Sequence, residues 1–357
     1  MRRVVLGLWL LLPCSAGSRA EPVIIEGAPR LSYDDGHGSQ QMAPLWSALQ
    51  VMGCPMSYEE LMVASGNAFQ FGWLPGAYDY AAIDLTPQDH FRTGAEAAGA
   101  RIEWRAHSYD FAAFDTIRTS IDEGRPCLTW RGFTLGARVI LGYDPDTWGL
   151  YMRDFAKSTP EYDTLELSVP TAPAPLKRPP HEVLLLWYDP AAAPPELDLA
   201  LILERAVMYA DWPLDNKLCK QCVFGLAAYD AWAETLRAGP DAAGAATDVQ
   251  IVLYAGRTLV DSRQAAAKFL QDNAMVHAAF PVAAEHYAAE ADLLRTLNAV
   301  FSRGVQGDWA AMVRSMEAAM ADPAGREEVA ALVEAAKAEE VQAVDALREA
   351  LADIGAP

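Results

Sequence analysis

The sequence predicts an α+β protein in two parts: a front of short helices and an antiparallel sheet, then an all-α helical bundle. Three observations carry that reading. Up to about Asp189, helical spacing alternates with short extended runs. From Glu196 onward nearly every segment repeats its apolar residues with a helical period. Between them, Pro190-Ala191-Ala192-Ala193-Pro194-Pro195 can neither continue a helix nor pair in a sheet, so it reads as a stiff spacer. The expected division is a signal peptide at 1–20, a first domain at 21–189, a Pro/Ala linker at 190–196 and a helical domain at 197–357.

In the first domain Pro44 fits a first helical turn, and Leu45, Ala48, Leu49 and Met52 then share one face of a short buried helix ending at Gly53. Ser57 and Glu60 have the spacing of a capping box for a helix over 58–64, and Thr86-Pro87 opens another that runs to Gly99. The runs 101–106, 126–132, 137–143, 149–155 and 183–188 are rich in β-branched and aromatic residues and bounded by turn formers, so they read as strands. Asp144-Pro145-Asp146-Thr147 joins two of them as a hairpin, and the proline-rich stretch 169–180 reads as a loop. In the second domain, helices are expected near 197–210, 222–238, 248–275, 281–303, 308–321 and 325–353. In the last of these, Val329, Leu332, Val333, Ala336, Val344, Leu347 and Leu351 form one apolar stripe.

The 357 residues carry 28 Lys plus Arg against 48 Asp plus Glu, a formal charge of -20 that repels phosphate backbones and anionic lipid, so no nucleic acid is expected as a partner. The first twenty residues have the pattern of an export signal: Arg2 and Arg3, an apolar run from Val4 to Leu12, and small residues ending at Ala20. Cleavage after Ala20 implies a secreted or periplasmic protein without a stable membrane anchor. A start misassigned upstream of Val23 implies a cytoplasmic one. Cys54, Cys127, Cys219 and Cys222 would remain after cleavage; Cys219-Lys220-Gln221-Cys222 has the spacing of a local disulfide or a redox pair.

Three blocks carry a resemblance: Glu26 to Leu31, Met42 to Leu49, and Tyr58 to Phe69. They are similar to the butirosin-biosynthesis-protein-H-like group, whose N-terminal domain is papain-like. The chain also resembles the double-glycine-leader peptidases, in which a Cys opens the central helix and a His strand leads into a Gly-Tyr-Asp turn. Gly142-Tyr143-Asp144 matches that turn, and Gly225 to Trp232 resembles the segment that opens the helical region of such proteins.

At the catalytic positions the chain departs from that pattern. Met42 stands where the resemblance implies the nucleophilic Cys, and a thioether does not ionise to a nucleophile. The strand residues Gly136, Ala137, Arg138, Val139 and Ile140 include no His to act as base. Gln40 and Gln41 adjoin position 42, too near for the oxyanion glutamine of papain-like enzymes, and only Asp154 stands where a third member of the triad could.

Cys54 at a helix end, Cys127 in an apolar strand and Ser47 one turn along the helix are alternative nucleophiles without a nearby His in sequence. No pair of histidines has the spacing of a zinc-binding helix, and His286 with Glu290 reads as an exposed i,i+4 pair, so no metal and no cofactor is implied. His37, in a Gly-flanked loop ahead of position 42, would stand at the mouth of the ancestral cleft, and Trp73 with Tyr78 and Tyr80 lies in the kind of loop that lines a groove. The expected cleft or ligand-binding residues are thus His37, Gln41, Met42, Trp46, Trp73, Asp144 and Asp154. The function expected is that of a non-catalytic papain-like binding or accessory protein for a small molecule or peptide. The alternative is an acyltransferase or cysteine-peptidase-like enzyme that works through other residues, around His37 and Asp154.

Overall fold

The structure is a computed structural model that describes residues 20–31, 36–75, 90–107, 110–129, 137–153, 155, 163–166, 181–212, 221–239, 250–302 and 309–354. Asp154, Cys219, Tyr78, Tyr80 and all but the last residue of the expected signal peptide lie outside the described residues.

Helix α1 spans Met42–Val51 and α2 spans Tyr58–Ser65. The capping box is formed: Glu60 N–H donates to Ser57 Oγ at 3.1 Å, and Ser57 N–H to Glu60 Oε2 at 2.8 Å. Helix α3 covers His90–Ala97 and α4 covers Asp110–Asp122.

The described strands are β1 Val23–Ile24, β2 Gly72–Trp73, β3 Arg101–His107, β4 Cys127–Thr129, β5 Arg138–Tyr143, β6 Gly149–Arg153, β7 Asp163–Glu166, β8 His181–Trp187 and β9 Val223–Phe224. Seven of them form one antiparallel sheet in the order β3-β8-β4-β5-β6-β7, with β1 also paired to β5. The pleat sorts side chains by alternation. Leu184, Leu186, Val139 and Leu141 join the core on the α1 side, whereas Val183, Leu185 and Ile140 pack with Phe114, Ile117 and Ile121 of α4. Gly142 is where β1 meets β5, since a Cβ there would lie 2.4 Å from the Val23 carbonyl oxygen.

Beyond β8 the rear of the chain comprises α5 Leu199–Ala210, α6 Leu226–Ala238, α7 Gln250–Asp272, α8 Ala279–Ser302, α9 Trp309–Ala321 and α10 Pro323–Ile354. It is not purely helical, which corrects the expectation of a helix from residue 222. β9 pairs antiparallel with β2 before α6 begins. The cause is at Gly225 (φ +62°): the chain turns there so close to the end of α5 that a Cβ would meet the carbonyl oxygens of Tyr209 and Ala210 at 2.3 Å.

One apolar core runs across the proline stretch, joining Leu45, Leu61 and Leu141 of the front to Leu203, Phe280 and Leu347 of the rear. Pro190 packs against Gly53, and Pro195 against Gly99.

Within the helices Arg263 is fully buried, its Nε 3.2 Å from Glu290 Oε2 and 2.8 Å from Glu340 Oε2. The guanidinium also donates to the Ala68 carbonyl at 2.6 Å and to the Tyr229 hydroxyl at 2.9 Å, while Tyr229 donates to Glu290 at 2.6 Å. Burial opposes the Arg263 charge, but Glu340, Tyr229 and Glu290 outweigh it and hold the group protonated. Burial and the neighbouring Glu340 push the Glu290 carboxyl well above the usual range, against the pull of Arg263. Two carboxyl groups thus face one guanidinium in a buried cluster, where ionising Glu290 is costly.

Arg263→Met would leave the buried Glu290 and Glu340 without their cation, and we expect a loss of about 3–5 kcal/mol in urea unfolding at pH 7. Glu290→Gln, which copies a protonated acid, is expected to cost less than about 1.5 kcal/mol.

Candidate functional site at the head of the first helix

Helix α1 packs across β4 and β5. Its first residue, Met42, is fully buried in the core that also holds Val139 and Leu141 of β5. Where a base would have to stand, β5 thus turns apolar side chains toward the helix.

The N-cap residue, Gln41, makes no capping bond with its own side chain, and the first donors of the helix are met from ahead of it. Ser39 Oγ accepts from Met42 N–H at 3.1 Å and Gln41 N–H at 3.4 Å, and donates to Asn67 Oδ1 at 2.9 Å. Asn67 Nδ2 in turn reaches Gln41 Oε1 at 3.5 Å. The backbone of this loop is fastened to the rear of the molecule by Asp261 of α7. Asp261 Oδ2 accepts from Tyr58 Oη at 2.5 Å and Ser39 N–H at 3.0 Å, and the Gly38 N–H also donates to this carboxylate. His37 stacks on Trp46 with ring centroids 4.5 Å apart and meets the edge of Tyr58 at 4.7 Å.

Burial pushes the Asp261 carboxyl up to about 7, even though Tyr58 and the two N–H groups all favour its ionised form; Glu59 adds to the rise. The Tyr58 hydroxyl is raised well above its ordinary value, first by burial and then by Asp261. A carboxylate that accepts hydrogen bonds while remaining costly to ionise works as a fastening between loop and helix.

Of the expected site residues, the structure brings His37, Gln41, Met42 and Trp46 together. Four of the residues expected to contact ligand are instead engaged within the fold. Met42 and Gln41 are both buried, with the loop ahead of them held down by Asp261 and Asn67. Trp73 is core: its ring stacks on Trp232 at 5.5 Å, and its Nε1–H donates to Thr235 at 3.1 Å. Asp144 Oδ1 accepts from the Asp146 and Thr147 N–H groups and closes the β5–β6 turn.

The alternative nucleophiles are bonded or buried. Ser47 donates to the Pro29 carbonyl at 3.1 Å, and Cys54 and Cys127 are free and buried. Burial pushes the Cys127 thiol up to about 12, so it holds its proton at neutral pH. Cys222 is buried and disulfide-bonded. Nor is His286 with Glu290 an exposed pair. Glu290 faces Arg263, whereas His286 Nδ1 meets Glu339 Oε2 at 2.7 Å, because α10 packs along α8. No group of His, Cys, Asp and Glu among the described residues could hold a metal.

Sequence reasoning missed Asp261, Tyr58, Ser39 and Asn67. The signal was there for Asp261: Asp261-Ser262-Arg263 interrupts an apolar helical stripe, and all three residues are buried. No known family model matches this chain, and no curated protein sequence matches it.

The high Asp261 pKa has a definite sign. Its contribution to stability is full below the unfolded pKa of about 4 and is lost as pH rises to about 7. We expect wild-type stability to fall across that interval by at most about 1.4 kcal/mol per pH unit from this group. Asp261→Asn keeps an acceptor for Tyr58 and should flatten the profile, as read by urea unfolding from about pH 4 to pH 8.

Proposed function

We propose that this chain is a non-catalytic binding or accessory protein of the papain-like superfamily. The observation that carries the reading is the head of α1, where a fully buried methionine faces apolar strand residues. A hydrolase or acyl-transfer centre there needs a thiolate and an imidazole acting as a unit, worth many powers of ten in rate. The likeness of the Met42–Leu49 and Gly142–Asp144 blocks to that superfamily agrees with a helix laid across an antiparallel sheet.

The vacated centre is filled by the protein's own side chains, so binding is expected beside it, where the 36–39 loop meets α7. The basic start, apolar run and small-residue site at Ala20 further support action outside the cytoplasm. No described helix is long and apolar enough to cross a membrane.

Purified protein is expected to turn over neither thioester nor peptide substrates, and Met42→Cys is expected to confer no turnover, since no base accompanies the new thiol. Turnover that an alkylating reagent abolishes in the wild type would overthrow the reading. Sequencing the N-terminus of protein from its native host should give Glu21; an intact Met1 would withdraw the extracellular assignment.

A further inference from the structure

A hollow of about 710 Å³ opens where the ends of α3, α4 and β8 meet the start of β3, and its lining includes no residue of the α1 head. Its volume falls within the range of small-ligand sites. In the β3–β8 ladder Arg101 stands directly opposite Trp187, so the two side chains lie together on one face of the sheet. The Arg101 guanidinium carbon sits 4.0 Å from the centre of the Trp187 ring. That of Arg125, which follows α4, sits 5.1 Å from the same centre. All three residues line the hollow.

The two guanidinium groups differ in what they are bonded to. Arg125 Nη2 is paired with Glu123, although the buried Arg125 Nε–H has no hydrogen-bond partner. Arg101 makes no ion pair and no side-chain hydrogen bond among the described residues, and its contact with the Trp187 ring is what holds it. Two positive groups are thus drawn to one ring with one carboxylate to share, in a chain whose formal charge is -20.

We propose that this hollow binds a small organic monocarboxylate through Arg101. A guanidinium held over an aromatic ring keeps donors at its edge, and their fork matches the two oxygens of a carboxylate. The unmade donor of Arg125 further favours an acceptor entering from the hollow. Glu96 and Asp189 line the same hollow and pair with no cation among the described residues, so they repel a second negative charge and disfavour phosphate or sulfate. Tyr188 and Ala100 offer apolar surface to the body of the ligand. The site lies apart from the α1 head and holds whether or not that head is catalytic, so turnover assays and the titrations below can fail separately.

The test is calorimetric titration of the full chain with benzoate, phenylacetate and hexanoate, with benzamide and inorganic phosphate as controls. At least one carboxylate is expected to bind with a Kd of about 1 mM or tighter. Benzamide and phosphate should bind more weakly by roughly tenfold or more, the worth of a charge-assisted hydrogen bond. Arg101→Gln should weaken the carboxylate by a similar factor. Glu123→Gln, which removes a negative charge competing for the guanidinium groups, should tighten it, an effect that loss of folding does not produce. No carboxylate binding tighter than about 1 mM, benzamide or phosphate binding as tightly, affinity unchanged in Arg101→Gln, or affinity not raised in Glu123→Gln would each overturn the proposal.

Discussion

The Arg263 guanidinium is the point on which the rear of the molecule and its junction with the front both depend. It draws a carboxylate from α8 and another from α10, a tyrosine hydroxyl from α6 and a backbone carbonyl from the segment after α2. Each partner alone would be an expensive burial. Together they set opposite charges against one another and link Arg263, Tyr229, Glu290 and the Ala68 carbonyl in one hydrogen-bond network. Apolar packing tolerates sliding by a fraction of a turn, but this arrangement does not, since every member has a direction. The cluster fixes the rotation of four helices about their axes and sets where the front part docks.

That fixed docking gives Asp261 its role two residues earlier on the same helix. With α7 held in rotation, Asp261 meets Tyr58 and the Gly38–Ser39 backbone, and the loop ahead of α1 has one place to lie. The helix head is covered as a result. A fold that offers a reactive side chain at such a position leaves it open to substrate, whereas here the position is occupied by Met42 and closed by its own loop.

Much of the architecture was legible from composition, periodicity and punctuation: the capping box at Ser57, the apolar run of β8, the hairpin at Asp144 and all of the long rear helices. The sequence misled where a local signal was overridden by distant contacts. Trp73 sits in a glycine-containing stretch that reads as a surface loop, yet β2 pairs with β9 some 150 residues later and buries the ring against Trp232. Glu290 reads as one more acid on an acidic helix, since nothing nearby in sequence announces its partner Arg263. At the helix head, Met42 and the absence of His from residues 136–140 were visible as residue types. What closes the head was not, because the carboxylate that does so comes from more than 200 residues away.

The proline stretch at 190–195 marks a boundary in sequence that the hydrophobic core does not respect. Leu203 of α5, Phe280 of α8 and Leu347 of α10 complete the wall on which α1 and α2 rest, and Pro190 and Pro195 are themselves seated on the front part. Recombination at that seam would give two gene products, each with an unclosed apolar wall and neither able to borrow a replacement from an unrelated neighbour. The two parts are thus entrenched as a pair, and substitutions on one side of the shared wall must be matched on the other. Descendants of this chain are expected to inherit both halves together or neither.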